Sequence, residues 1–233
     1  MHPPERRHTQ RDLSDTTPQL SRLVEVMAVL RRRCPWDAEQ THSSLVQYLV
    51  EETAETIEAI ESGDADHLRE ELGDLLLQVI FHAEIARESE PGFSIEDVAA
   101  GIADKLIARH PYVFASEQTP ADLYGTWEAR KAAEKGRTSV LEGIPEQLSA
   151  LARASKIISR VRLRRVDLDL PSEPIEASDV GEQVVRLVAR AQASGIDPDQ
   201  AVRAAVRSLE AAVRSAEAGQ SASADRGTAP APD

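Results

Sequence analysis

Wound as a helix, residues from about Asp64 to Glu88 are apolar almost all round, with Leu68, Leu72, Leu75, Leu76, Leu77, Val79, Ile80, Phe81 and Ile85 leaving no wide polar face. Such a helix needs cover on several sides, so the chain is expected to build a bundle around it. Its exceptions are aligned: at ~100° per residue, Glu71, Asp74 and Gln78 fall on one face. Carboxylates in that setting are the feature to explain.

The rest of the chain supplies candidate partners. A helix from Pro18 carries Leu20, Leu23, Val24, Met27 and Leu30 on one side and stops at Cys34-Pro35. Another runs from about Ser43 to Glu61 and ends at Ser62-Gly63; a later one starts at the capping signal Ser94-Ile95-Glu96-Asp97 and reaches His110-Pro111. Further helices are expected over 122–135, 146–165, 177–194 and 198–217. No stretch alternates as a strand, and the residues favour Ala, Leu, Glu and Arg, so the fold class is all-α.

Composition limits the functions open to this chain. The 233 residues suffice for a sizeable core, and the net charge of −13 argues against a nucleic-acid polymer as partner, because phosphate backbones call for a basic surface. No apolar run approaches the ~20 residues that span a bilayer, so no membrane association is expected. Cys34 is the only cysteine and permits no internal disulfide; with no activating motif nearby it is expected to be a packed thiol. Residues 1–17 are polar throughout and lack the apolar segment of a signal peptide, which points to a cytoplasmic protein. They and residues 219–233 are read as disordered tails.

On the helix from Ser43, the residues Leu45, Tyr48, Leu49, Thr56, Ala59 and Ile60 form a stripe, with Glu52 inside it and Glu55 at its edge. Most helical glutamates are solvated, as expected for Glu58, Glu61, Glu70, Glu84 and Glu88. For Glu52, Glu55, Glu71 and Asp74 that account fails, since unpaired carboxylates in an apolar seam cost several kcal/mol each unless protonated or neutralised by a cation. The Ser-Gly turn makes the two helices antiparallel and sets the first pair opposite the second. Four oxygen ligands without His or Cys select a hard divalent ion: Mg²⁺, with Mn²⁺ as the alternative. A di-iron bundle would want Glu-x-x-His pairs, which these helices lack.

Glu51-Glu52-x-x-Glu55 followed by Glu71-x-x-Asp74 resembles the metal-binding signature of the all-α nucleoside triphosphate pyrophosphohydrolases. The flanking CPWDAEQTHSSL, EELGDLLLQVIFHA and DKLIARHPYVF are similar to MazG in particular, and the likeness extends over about residues 20–135. The resemblance implies a Mg²⁺-dependent helical bundle completed by homodimerisation, cleaving a nucleoside triphosphate between its α- and β-phosphates to the monophosphate and diphosphate, as nucleotide-pool house-cleaning. It implies that Lys105 and Arg109, four apart on one helix, contact the nucleotide, as does the pair Trp127 and Lys131. Trp36 and Trp127 are candidates for stacking on the base. Glu51 is either a metal ligand or a base just outside the metal. His42, His82 and His110 are expected to be structural.

The last third poses a separate question. DVGEQVVRLVARAQ, from Asp179, can be laid over ELGDLLLQVIFHAE, from Glu71, at an offset of 108, and GIDPDQAVRAAVRSLEAAV over GFSIEDVAAGIADKLIARH at an offset of 103. Lys105 and Arg109 then face Ser208 and Ala212, and no Glu-Glu-x-x-Glu precedes Asp179. The domain reading is therefore a MazG-like catalytic domain over 18–139 and a helical region over 140–218, as a degenerate second copy or an unrelated extension. A non-catalytic helical nucleotide-binding or regulatory interaction protein is the alternative to an enzyme.

Overall fold

A computed structural model describes residues 18–115 and 117–227. Ten helices and no strand occur among the described residues, as the absence of alternating patterns requires. The expectations for residues 1–17 and 228–233 lie outside this range. The chain divides into two compact units, Met1–Ala108 and Arg109–Asp233.

In the first unit, helix α1 (Pro18–Arg33) leads through the short α2 (Pro35–Glu39) to α3 (Val46–Ser62) and α4 (Ala65–Ala86). Gly63, with a positive φ of 72°, terminates α3, and the Asp64 carboxylate accepts hydrogen bonds from the amides of Asp66 and His67 to start α4. This tight reversal packs α3 along α4, while α1 crosses α4 on another side. Met27, Leu45, Ile80, Phe81 and Ile85 form the core where the three meet. Helix α5 (Ile95–Arg109) opens with reciprocal bonds between Ser94 and Asp97, as the capping signal predicts.

Two expectations about burial are corrected. Ile60, placed in the inward stripe of α3, is 58% exposed, because that stripe is narrower than drawn: Leu45, Thr56 and Ala59 are buried, and Tyr48 and Leu49 half-buried. Glu84, read as solvated, is buried and paired with Arg87 at 2.9 Å.

The second unit comprises α6 (Pro111–Phe114), α7 (Leu123–Glu134), α8 (Ala150–Leu163), α9 (Ala177–Ala193) and α10 (Pro198–Gly227). Its core gathers Val140, Ile144, Ile157, Val161, Val206 and Val213. The domain boundary expected between 139 and 140 thus falls inside a compact unit, since Val140 and Ile144 are buried against α8 and α10. Helix α10 also runs on to Gly227, into the stretch read as a tail. The Glu217 carboxylate accepts from Ser139 Oγ and Val140 N, and Gln220 donates to the Arg165 carbonyl, tying this end of α10 down.

Candidate functional site

The antiparallel α3–α4 pair brings oxygens of Glu52, Glu55 and Glu71 within 4.8 Å of one another. Glu71 is buried, Glu52 half-buried and Glu55 exposed, so the cluster opens to solvent at the α3 edge. Burial pushes the Glu52 carboxyl above the usual range, and Asp74, Glu55, Glu71 and Glu51 add to the rise by repulsion. Asp74 is therefore close enough to act on Glu52, although its oxygens lie outside the tight triple. Glu51 is exposed. Among the described residues the one basic side chain paired with the cluster is His67, whose Nε2 lies 3.2 Å from Glu71 Oε1 one helical turn away. Donors that are all carboxylate, crowded and barely neutralised fit a hard divalent cation. Oxygens sharing one Mg²⁺ lie roughly 3–4 Å apart for bonds of about 2.1 Å, a closing that side-chain rotation supplies.

Trp36 stands against the C-terminal half of α4, at Phe81, beyond the acidic residues Glu71 and Asp74. Its ring meets Tyr48 and Phe81 edge-on, at 5.8 Å and 6.4 Å between centroids, yet it is 50% exposed. The short helix α2 that carries it is fixed by Arg31, a residue that no sequence signal singles out. Arg31 forks onto Glu88 at 2.9 Å and 2.7 Å and also donates to the carbonyls of Asp37 and Gln40. Two of the three histidines expected to be structural, His42 and His82, stack with Nδ1 atoms 2.8 Å apart.

In the second unit, the structure unites Arg109, Trp127 and Lys131. The Arg109 guanidinium lies 5.7 Å from the Trp127 ring centroid and the Lys131 ammonium 4.6 Å from it, while Arg109 also pairs with Glu134 at 2.7 Å. The indole therefore holds cations. Burial lowers the Lys131 pKa, and Lys156, Arg137 and Arg109 lower it further against the opposing pull of Glu128. Glu128 itself, buried beside Lys131, Lys156 and Arg160, was missed; its partners Lys156 and Arg160 lie on the next helix, where no local spacing announces them. Lys105 is exposed on α5 and makes no hydrogen bond or ion pair among the described residues.

The family model of the MazG nucleotide pyrophosphohydrolase domain matches residues 40–114, a span that holds both acidic motifs and α5 but neither tryptophan. A nucleoside triphosphate pyrophosphohydrolase/pyrophosphatase MazG of Thermotoga maritima is 38% identical over 207 residues, covering 79% of this chain and 80% of that protein. The chain belongs to the MazG family. An uncharacterized 26.1 kDa protein of Streptomyces cacaoi is 46% identical over 84% of this chain and 81% of its own length. A nucleoside triphosphate pyrophosphohydrolase of Mycolicibacterium smegmatis is 42% identical over 84% of this chain, which spans only 60% of that MazG relative.

Proposed function

We propose that this MazG chain hydrolyses nucleoside triphosphates between the α- and β-phosphates, releasing a nucleoside monophosphate and diphosphate, as a house-cleaning activity in the cytoplasm. The observation that carries the reading is the carboxylate triple of Glu52, Glu55 and Glu71 within 4.8 Å, with Asp74 near enough to raise the Glu52 pKa. Like charges so arranged are a liability without a cation, and these four residues would hold Mg²⁺, or Mn²⁺ in its place. Such an ion would supply the positive charge that offsets growing negative charge on the phosphate oxygens.

The side chains have separate tasks. Glu51, exposed beside the cluster, is suited to accept a proton from the attacking water. Lys105, Arg109 and Lys131 are each a candidate for binding phosphate oxygens, and Trp36 and Trp127 are each a candidate for stacking on the base. The reaction needs cations on the leaving diphosphate because charge develops there as the bond breaks.

The test joins a variant to a product analysis. Glu71→Gln should lower turnover by at least about 100-fold while the far-ultraviolet circular dichroism stays helical, in line with loss of a key electrostatic group. In the parent protein, oxygen from labelled water should enter the monophosphate. Normal turnover by the variant, or orthophosphate as the initial product, would sink the reading.

A further inference from the structure

The link between α7 and α8 encloses a cavity of about 470 Å³, lined among others by Thr126, Glu128, Arg137, Ser139, Arg160 and Arg164. That volume lies in the range of small-molecule sites. Charge around it is unbalanced. Lys131, Arg137, Lys156, Arg160 and Arg164 stand against Glu128 and Asp122, and the Asp122 carboxylate is already engaged by the Gly125 amide at the start of α7. Glu128, 4% exposed, is shared by three cations at 3.5 to 4.0 Å. Glu142, which also feels Arg137, and Glu217, which accepts from the lining residues Ser139 and Val140, bring the carboxylates to four against five cations.

Arg160 is the decisive residue. It is 6% exposed and its Nη1 donates to the carbonyls of Val140 and Glu142, which anchors the guanidinium rigidly. Its Nε–H, however, is buried with no hydrogen-bond partner: Glu128 lies 3.8 Å away, within Coulombic reach but too far to accept. A purely structural arginine in a fold this well bonded would be satisfied, since an orphaned buried donor costs ~1–3 kcal/mol. The Arg137 head lies close over Gly143, where an added Cβ would come to 2.7 Å from its Nη2. Neither Arg137 nor Arg164 forms an ion pair among the described residues.

We propose that this cavity binds a small phosphorylated anion, of the class of inorganic pyrophosphate or a nucleoside monophosphate, through Arg160, Arg137 and Arg164. Guanidinium forks match phosphate oxygens in geometry and charge, and Thr126 adds a hydroxyl on the wall. A bound anion would offset the excess positive charge, and a small opening of the wall would let it reach Arg160 Nε, which solvent does not touch in this structure. The proposal does not rest on the acidic cluster of α3 and α4; both anion types are products of the proposed hydrolysis, so occupancy would let product act back on the enzyme.

The test is calorimetry on the full chain in chelator, titrated with inorganic pyrophosphate and separately with a nucleoside monophosphate. Saturable binding of at least one is expected, weakened tenfold or more by Arg137→Gln/Arg164→Gln and retained in Glu71→Gln and Lys105→Ala. The arm that binds more tightly identifies the source of the phosphate. In nitrogen-edited NMR, the Arg160 Nε–H resonance, assigned by its loss in Arg160→Lys, should shift on titration. Absence of binding, equal affinity in the double variant, loss of binding with Lys105→Ala alone, or an unmoved Arg160 resonance would each overturn the proposal. Because Glu71→Gln removes the proposed hydrolysis but not this binding, the two readings fail separately.

Discussion

At the scale of single residues, two titrating groups shape behaviour in opposite directions. Glu52 has its pKa raised by burial and by the surrounding carboxylates, so its charged form is disfavoured in the fold, and Glu52→Gln should stabilise the metal-free protein. Each like-charge pair removed at such a partly open site is worth roughly 0.2–0.5 kcal/mol, visible as a small rise in the thermal midpoint in chelator. A fall in the midpoint would contradict this. His82 works the other way: burial first, then His42, lowers its pKa below that of the unfolded chain. Between the two values the unfolded state takes up more protons, so this contribution is complete above about pH 6.5 and is lost as the pH falls. His82→Gln should flatten the decline of the thermal midpoint between pH 7.5 and 5.5, and the difference from the parent isolates the histidine from Glu52. An unchanged slope would remove the His42–His82 pair as a determinant.

At the scale of elements, long helices were legible because apolar periodicity and end signals agree. Gly63, Asp64 and the Ser94–Asp97 exchange all stand where the sequence marks an end or a beginning. The acidic cluster was legible for the same reason, since helical spacing plus a tight turn fixes which carboxylates face each other. Helices α2 and α6 were not, because five and four residues are too short for a period to show. The Glu128 network was hidden too, as its cations come from a helix whose contact with α7 no pattern in either segment encodes. Arg31 is the comparable case in the first unit: one buried guanidinium ties α1 to the end of α4 through Glu88 and to α2, which carries Trp36, through two carbonyls. Arg31→Gln should cost about 1.5–3 kcal/mol, the range for hydrogen bonds to charged groups, and should loosen α2. Urea unfolding with unchanged stability and unchanged Trp36 emission would count against that role.

At the scale of the whole molecule, the question is what covers the apolar surface that one chain leaves open. Val46, Val50, Ile57 and Ile60 recur along α3 at spacings of four, seven and three, and all are more than half exposed; Leu72 and Val79 of α4 are exposed as well. The stripe has the period of a helix-packing seam, and Thr53 fills its middle position. Helix α4, apolar almost all round, is packed by α1 and α3 only over part of its circumference. Exposed apolar area of that extent on a regular seam is best buried by a second copy, because a two-fold axis lets the same stripe serve both partners. A homodimer through α3 follows as the expected state. Val50→Glu/Ile57→Glu places two charges in each copy of the seam, four in the dimer, where desolvation makes them costly. Sedimentation should then report a dimer for the parent and a monomer for the variant, with helical content preserved because both positions face solvent within one chain. A parent that sediments as a monomer at micromolar concentration would leave this seam without a partner copy, and an unaltered dimer in the variant would move the interface elsewhere.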